Sequence, residues 1–167
     1  PVGTANRRIA TADLATLGSV VPSANVTHLT KLNSSGVVDF TFRTNVTGVA
    51  AETINAIAAE VSGKVLIGGT FTTVNGTPVT RGLARIDSIG SLDTTSFTGF
   101  TAFDAAGSVQ SIVVDPQASP GANAGKINIV GNFATVNGLT RQGTARLTTD
   151  GSLDGSAVPV NITGGSV

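Results

Sequence analysis

Two stretches of this chain are copies of one another. Residues 63–93 read GKVLIGGTFTTVNGTPVTRGLARIDSIGSLD, and residues 125–154 read GKINIVGNFATVNGLTRQGTARLTTDGSLD. The shared positions include Lys64/Lys126, Phe71/Phe133, Val74/Val136, Asn75/Asn137, Gly76/Gly138, Arg85/Arg146 and Asp93/Asp154. The offset is 62 residues at the lysines and 61 at the last aspartates. A fainter third copy, residues 32–39 (LNSSGVVD), ends 54 residues before Asp93. Repetition constrains the fold more than any other feature, because each copy has to rebuild one supersecondary unit. It also argues against an enzyme, since identities that recur serve the unit and not a single site.

Within each copy the pattern is β. Lys64-Val65-Leu66-Ile67 and Lys126-Ile127-Asn128-Ile129-Val130 are short runs rich in β-branched residues, each preceded by a turn signal. Asn75-Gly76 and Asn137-Gly138 are dipeptides that accept positive φ in tight hairpin turns. Leu83-Ala84-Arg85-Ile86 and Thr144-Ala145-Arg146-Leu147 alternate as half-buried strands do. Each repeat therefore reads strand, turn, long strand, Asn-Gly turn, strand, turn, strand. That predicts an all-β fold of antiparallel, four-stranded, blade-like repeats, arranged as a propeller or an open β array. Phe71 and Phe133 are expected at equivalent buried positions.

The order GK, apolar run, G-x-F-x-x-V-N-G, then R-x-x-x-A-R-(I/L), then G-S-L-D resembles the bacterial delta-60 repeat. The resemblance covers residues 54–97 and 109–154 well and 28–42 weakly. It implies a propeller-type β repeat of large secreted or surface proteins, and it carries no catalytic residues to transfer. The expected organisation is an N-terminal arm (1–27), a partial repeat (28–53), a first repeat (54–108), a second repeat (109–154) and a C-terminal β tail (155–167). Residues 9–18 fit either two helical turns ending at Gly18 or an extended arm.

Closed propellers use about four to eight blades. Two full repeats and two partial ones fall short, and neither end shows an evident polar cap of the kind terminal repeats carry. Unpaired strand edges attract other strands. The tail, Ala157-Val158-Pro159-Val160-Asn161-Ile162-Thr163, is apolar and β-prone, so Val158, Val160 and Ile162 are candidate interface residues. The expected function is a structural subunit of an extracellular filament or surface assembly, with a second copy of the chain as partner through terminal strands. The alternative is a ligand- or partner-binding propeller fragment of a larger secreted protein.

Charge is low and balanced: 12% of residues are charged, with a formal net charge of +0. That argues against nucleic acid or an anionic membrane as partner. No apolar stretch is long enough for a membrane span. Cys, Met, Trp and Tyr are absent, and Thr, Ser, Gly, Asn and Ala dominate. This composition suits a solvated β surface outside the cell. Asn25, Asn33, Asn45, Asn75 and Asn161 stand in N-x-S/T sequons, acceptors for glycan in a glycosylating host.

Residues with catalytic, cofactor-binding or metal-ligating roles are not expected. The single histidine, His28, has no partners nearby in sequence, and no G-x-S-x-G elbow is present. Asp150 is Ser88 in the sister copy, so its Asp-Gly-Ser-Leu-Asp stretch is not a repeated calcium loop. Asp93 and Asp154 are expected to accept backbone N–H bonds in their turns. Arg85 and Arg146 point away from the face of Ile86 and Leu147 and are expected to pair with those aspartates, in the same or an adjacent blade; the alternative is a row of cations on one face that binds an acidic ligand.

Overall fold

The computed structural model of the chain describes residues 8–10, 29–47, 53–80, 82–104, 107–116, 121 and 123–157. All regular structure among them is β. Three of the five sheets among the described residues succeed one another along the chain. The first pairs β1 (Arg8–Ala10) with β2 (Thr30–Leu32). The second contains β4 (Ile54–Ala59), β5 (Val65–Gly69) and β8 (Leu83–Ile86), with β5 central. The third contains β9 (Ser108–Val114), β10 (Ile127–Asn132) and β13 (Thr144–Leu147), with β10 central. All pairings are antiparallel. These sheets are the blades.

Four strands per repeat were expected, and each full blade has three. The fourth is reduced to single bridges, Ile86↔Leu92 and Leu147↔Leu153. The next residue, Asp93 or Asp154, turns its carboxylate onto backbone N–H groups and ends the pairing. The long strand expected before the Asn-Gly turn also divides. Its second half forms a small hairpin outside the blade, β6 (Thr73–Val74) with β7 (Thr77–Pro78), and β11 (Thr135–Val136) with β12 (Leu139–Thr140).

The blades are laced together. After Asp39 the chain crosses to the next repeat as β3 (Val46–Thr47) and pairs with its hairpin, Val46↔Val74. After Asp93 it crosses again, bridging Phe103 to Val136.

The two hydrophobic cores lie between blades. On blade 2, Val65, Ile67, Ala84 and Ile86 face one core with Leu29, Phe42, Val46, Phe71 and Val74. Leu66 and Leu83 face the other core with Phe100, Phe103, Val109, Ile112, Ile127 and Ile129. A strand buried on both faces reads as a continuous apolar run, which is what Val65-Leu66-Ile67 is. Phe71 and Phe133 occupy equivalent places in successive cores, 0% and 5% exposed. Each fully buried Leu, Ile, Val or Phe stabilises the fold by roughly 1.5–3 kcal/mol.

Of the two readings of the N-terminal segment, the extended one fits residues 8–10. Residues 8–10 are a strand, so a helix starting at Ile9 is excluded there. This strand, inside the expected arm, takes the place of β5. Arg8↔Leu32, Ile9↔Lys31 and Ala10↔Thr30 repeat the register of Val65↔Ile86, Leu66↔Arg85 and Ile67↔Ala84. The faint third copy is therefore half of a first blade that the sequence pattern does not reveal.

Candidate functional site: the ionic clasp between blades

The strongest concentration of charge sits around the aspartate that closes each blade, and in blades 1 and 2 it reaches the blade that follows. In blade 2, Asp93 Oδ2 accepts from Arg85 Nε at 2.9 Å and Lys64 Nζ at 2.8 Å. Its Oδ1 accepts from the backbone N–H groups of Thr95 and Ser96. Arg85 is 4% exposed. Its other donors reach Glu60 Oε1 at 3.2 Å, Thr149 O at 2.6 Å, and the carbonyl and hydroxyl of Ser96. A guanidinium has five N–H groups, and here five acceptors surround it. Phe97 covers it, with the guanidinium carbon 4.9 Å from the ring centroid.

The other blades repeat the arrangement. Arg146 Nε and Lys126 Nζ each lie 2.7 Å from Asp154 Oδ2. Lys31 Nζ lies 2.8 Å from Asp39 Oδ2 and 5.7 Å from the centre of the Phe42 ring. Arg and Asp thus meet within one blade. The Arg85 side chain does leave the Ile86 face, but it enters the next interface and not solvent. Lys64, Lys126 and Glu60 are members that sequence reasoning missed. The recurrence of Gly-Lys at residues 63–64 and 125–126 was the available signal for the two lysines. Glu60 has no identical counterpart to find it by.

The carboxyls respond accordingly. Burial alone would raise Asp93, but hydrogen bonds from Lys64 and Ser96 hold it far below the usual carboxylate range. The Lys126 ammonium and the Ser156 hydroxyl do the same for Asp154. Lys31 and Thr41 lower Asp39 to about 2. Asp150 is also lowered, mainly by the Thr148 hydroxyl and the Ser152 N–H.

The Asn-Gly turns form a second repeated device. Asn75 and Gly76 have φ of 51° and 76°, and Asn137 and Gly138 have 52° and 76°. Positive φ at both central positions is the two-residue hairpin turn that matches strand twist. The asparagine side chains do more. Asn75 Oδ1 accepts from Asn45 N at 2.7 Å, and its Nδ2 donates to Gly90 O at 2.9 Å. Asn137 Oδ1 accepts from Thr101 N at 2.8 Å, and its Nδ2 donates to Gly99 O at 2.9 Å. Each asparagine holds the segment arriving from the preceding blade.

Of the sequon residues, Asn33 lies in an exposed turn, its Oδ1 accepting from Ser35 N and Val37 N. Asn45 is half-buried beside Asn75, and the Asn75 amide is committed to Gly90. Asn25, His28, Val158, Val160, Asn161 and Ile162 lie outside the described residues.

A family model described as "Domain of unknown function (DUF5122) beta-propeller" matches residues 62–95 and 125–156. Those two stretches span the central strand, hairpin, third strand and aspartate clasp of blades 2 and 3. The repeat is of propeller type. No curated protein and no solved structure matches the chain.

Chemically the clasp is closed. A cavity of about 140 Å³ adjoins it, lined in part by Leu83, Arg85, Asp93, Phe97 and Phe100. Arg85 offers that space no unused donor. Among the described residues no group of three or more His, Cys, Asp or Glu side chains is placed to hold a metal ion. None of the described elements is a helix long and apolar enough to cross a membrane.

Proposed function

We propose that the chain is a structural subunit of an extracellular filament or surface assembly, built from delta-60-type propeller repeats and joined to other copies by strand donation from its termini. The observation that carries this reading is the first blade. Among the described residues it has two strands, β1 and β2, where blades 2 and 3 have three. The place beside β1 is the one β4 takes beside β5 and β9 takes beside β10. An edge strand there pairs on one side only, so it tolerates a proline whose nitrogen faces outward. Residues 158–162, with Val158, Val160 and Ile162 alternating around Pro159 and Asn161, meet that requirement. A donated strand gains affinity from main-chain pairing and register from alternate side chains. A head-to-tail contact that does not close on itself produces filaments. No catalysis belongs to this reading, because the clasp charges satisfy one another.

The test is electron microscopy and particle mass of the full chain beside the Val160→Asp/Ile162→Asp variant and a form lacking residues 158–167. The last keeps Ser156, which Asp154 uses. Fibres from the full chain and small particles from both variants are expected. A full chain that stays monomeric at every concentration, or variants that assemble normally, overturns the proposal.

A further inference from the structure

We propose that the outward face of blade 3 is a solvent-facing end face, built so that no further blade stacks on it. The observation is a position-by-position comparison through the strand registers. The face that blade 2 presents to blade 3 carries Ala56, Leu66, Gly68 and Leu83, and Leu66 and Leu83 are buried there at 0% and 2% exposure. The same register places in blade 3 hold Ser111, Asn128, Val130 and Thr144. Blade 1 has Ile9 at the register position of Leu66, and buried Leu29 one residue before β2, as Leu83 stands one residue before Ala84. This face is largely apolar on blades 1 and 2, and on blade 3 the four matching places hold three polar residues and Val130. Terminal repeats of stacked arrays need such polar outer faces.

A steric observation points the same way. A Cβ on Gly68 would lie 2.6 Å from Val109 Cγ1 and 2.9 Å from Ile112 Cδ1, so blade 3 approaches blade 2 as closely as glycine permits. Blade 3 has Val130 at that place. Its isopropyl group occupies the volume a stacked β9-like strand would need. The clasp also changes. Lys31 Nζ donates to Ser88 O and Arg85 Nη1 to Thr149 O, each a turn carbonyl of the next blade. Arg146, among the described residues, bonds only Asp154 and Ser156, and its side chain is 23% exposed against 5% for Arg85. Val113, 58% exposed, is the remaining large apolar group on this face, an isolated exposure that a monomer tolerates.

This inference stands whether or not the termini exchange strands, since it concerns stacking of blade on blade. The chain has no cysteine, so single thiols report accessibility cleanly. The full-length Asn128→Cys and Leu66→Cys proteins would be labelled with a maleimide under native conditions, as the assembled species each forms. The Asn128→Cys thiol should react within about tenfold of a free-peptide thiol. The Leu66→Cys thiol, at the matching but covered place, should be at least a hundredfold slower. A second variant, Asn128→Lys/Thr144→Lys, should keep the unaltered chain's particle mass and denaturation midpoint. Protection of the Asn128→Cys thiol to the level of Leu66→Cys overturns the proposal. So does a loss of assembly or of cooperative unfolding in the double-lysine variant.

Discussion

Arg85 donates from Nη1 to the carbonyl oxygen of Thr149, 2.6 Å away in the next blade. Lys31 makes the equivalent bond to Ser88 at 2.9 Å. A cation anchored on its own aspartate thus fastens the following blade through a main-chain acceptor. Replacing Arg85 by Met leaves the carboxylates of Glu60 and Asp93 buried without their guanidinium. Removing one partner of a buried ion pair typically costs about 3–5 kcal/mol. Urea unfolding of Arg85→Met should show a loss of that size, and Arg85→Lys should recover part of it. Arg146→Met, at a solvated clasp, should cost clearly less than Arg85→Met.

The asparagine of the Asn-Gly turn has two separable roles. Glycine accepts positive φ as readily as asparagine, so Asn137→Gly keeps the turn. It removes the bonds to Thr101 N and Gly99 O. If the turn alone mattered, the substitution would be neutral. We expect a loss of about 1–3 kcal/mol, from partners left unsatisfied under the incoming segment. Gly138→Ala, at φ 76°, tests the other role and should cost more than ~1 kcal/mol. Thermal denaturation of the two variants reads both values.

Much of this was legible in the repeated positions. Phe71, Phe133, both Asn-Gly turns and the Arg–Asp pairs stand out because two copies share them, and a shared residue in a structural repeat has an equivalent environment. The first blade was hidden because Arg8-Ile9-Ala10 has neither the Gly-Lys signal nor an apolar run. Only the pairing of residues 8–10 with Thr30–Leu32 reveals it. The burial of Arg85 was hidden because alternation along β8 tells which face a residue takes, not what covers that face. The polar end of blade 3 lies in residues such as Asn128 and Thr144, set singly among apolar neighbours. It shows once Leu66 and Leu83 are known to be buried against the next blade.

Phe71 carries a packing prediction. It is fully buried between blades 1 and 2, in the core that includes Leu29 and Phe42. Phe71→Ala should cost about 3–5 kcal/mol. Leu29 and Phe42 come from the first blade and its crossing segment, so the variant should also loosen β1 and β2. Hydrogen exchange at Thr30 and Lys31 should accelerate more than at Ile127 and Ile129 in the other core. Uniform acceleration would mean that the two cores unfold as one unit.

Acid should unfold this protein through its aspartates. Asp39, Asp93 and Asp154 all have carboxyl pKa values below the ordinary value near 3.8, Asp39 at about 2. Each therefore binds its proton more weakly in the folded chain than in the unfolded one. Stability is fully present above the unfolded value, and below it the unfolded state takes up protons first. The loss thus begins as pH falls through about 4 and continues toward 2, the folded value of Asp39, and beyond for the other two. The urea midpoint should be flat from pH 7 to about 5 and fall steeply below 4. Asp93 is the most deeply placed of the three, its side chain 3% exposed. Asp93→Asn should be less stable at pH 7, where it leaves Arg85 and Lys64 without their shared carboxylate, and should lose less on acidification to pH 3. An Asp93→Asn protein whose midpoint falls as steeply as the unaltered chain's would place the acid sensitivity outside the clasp.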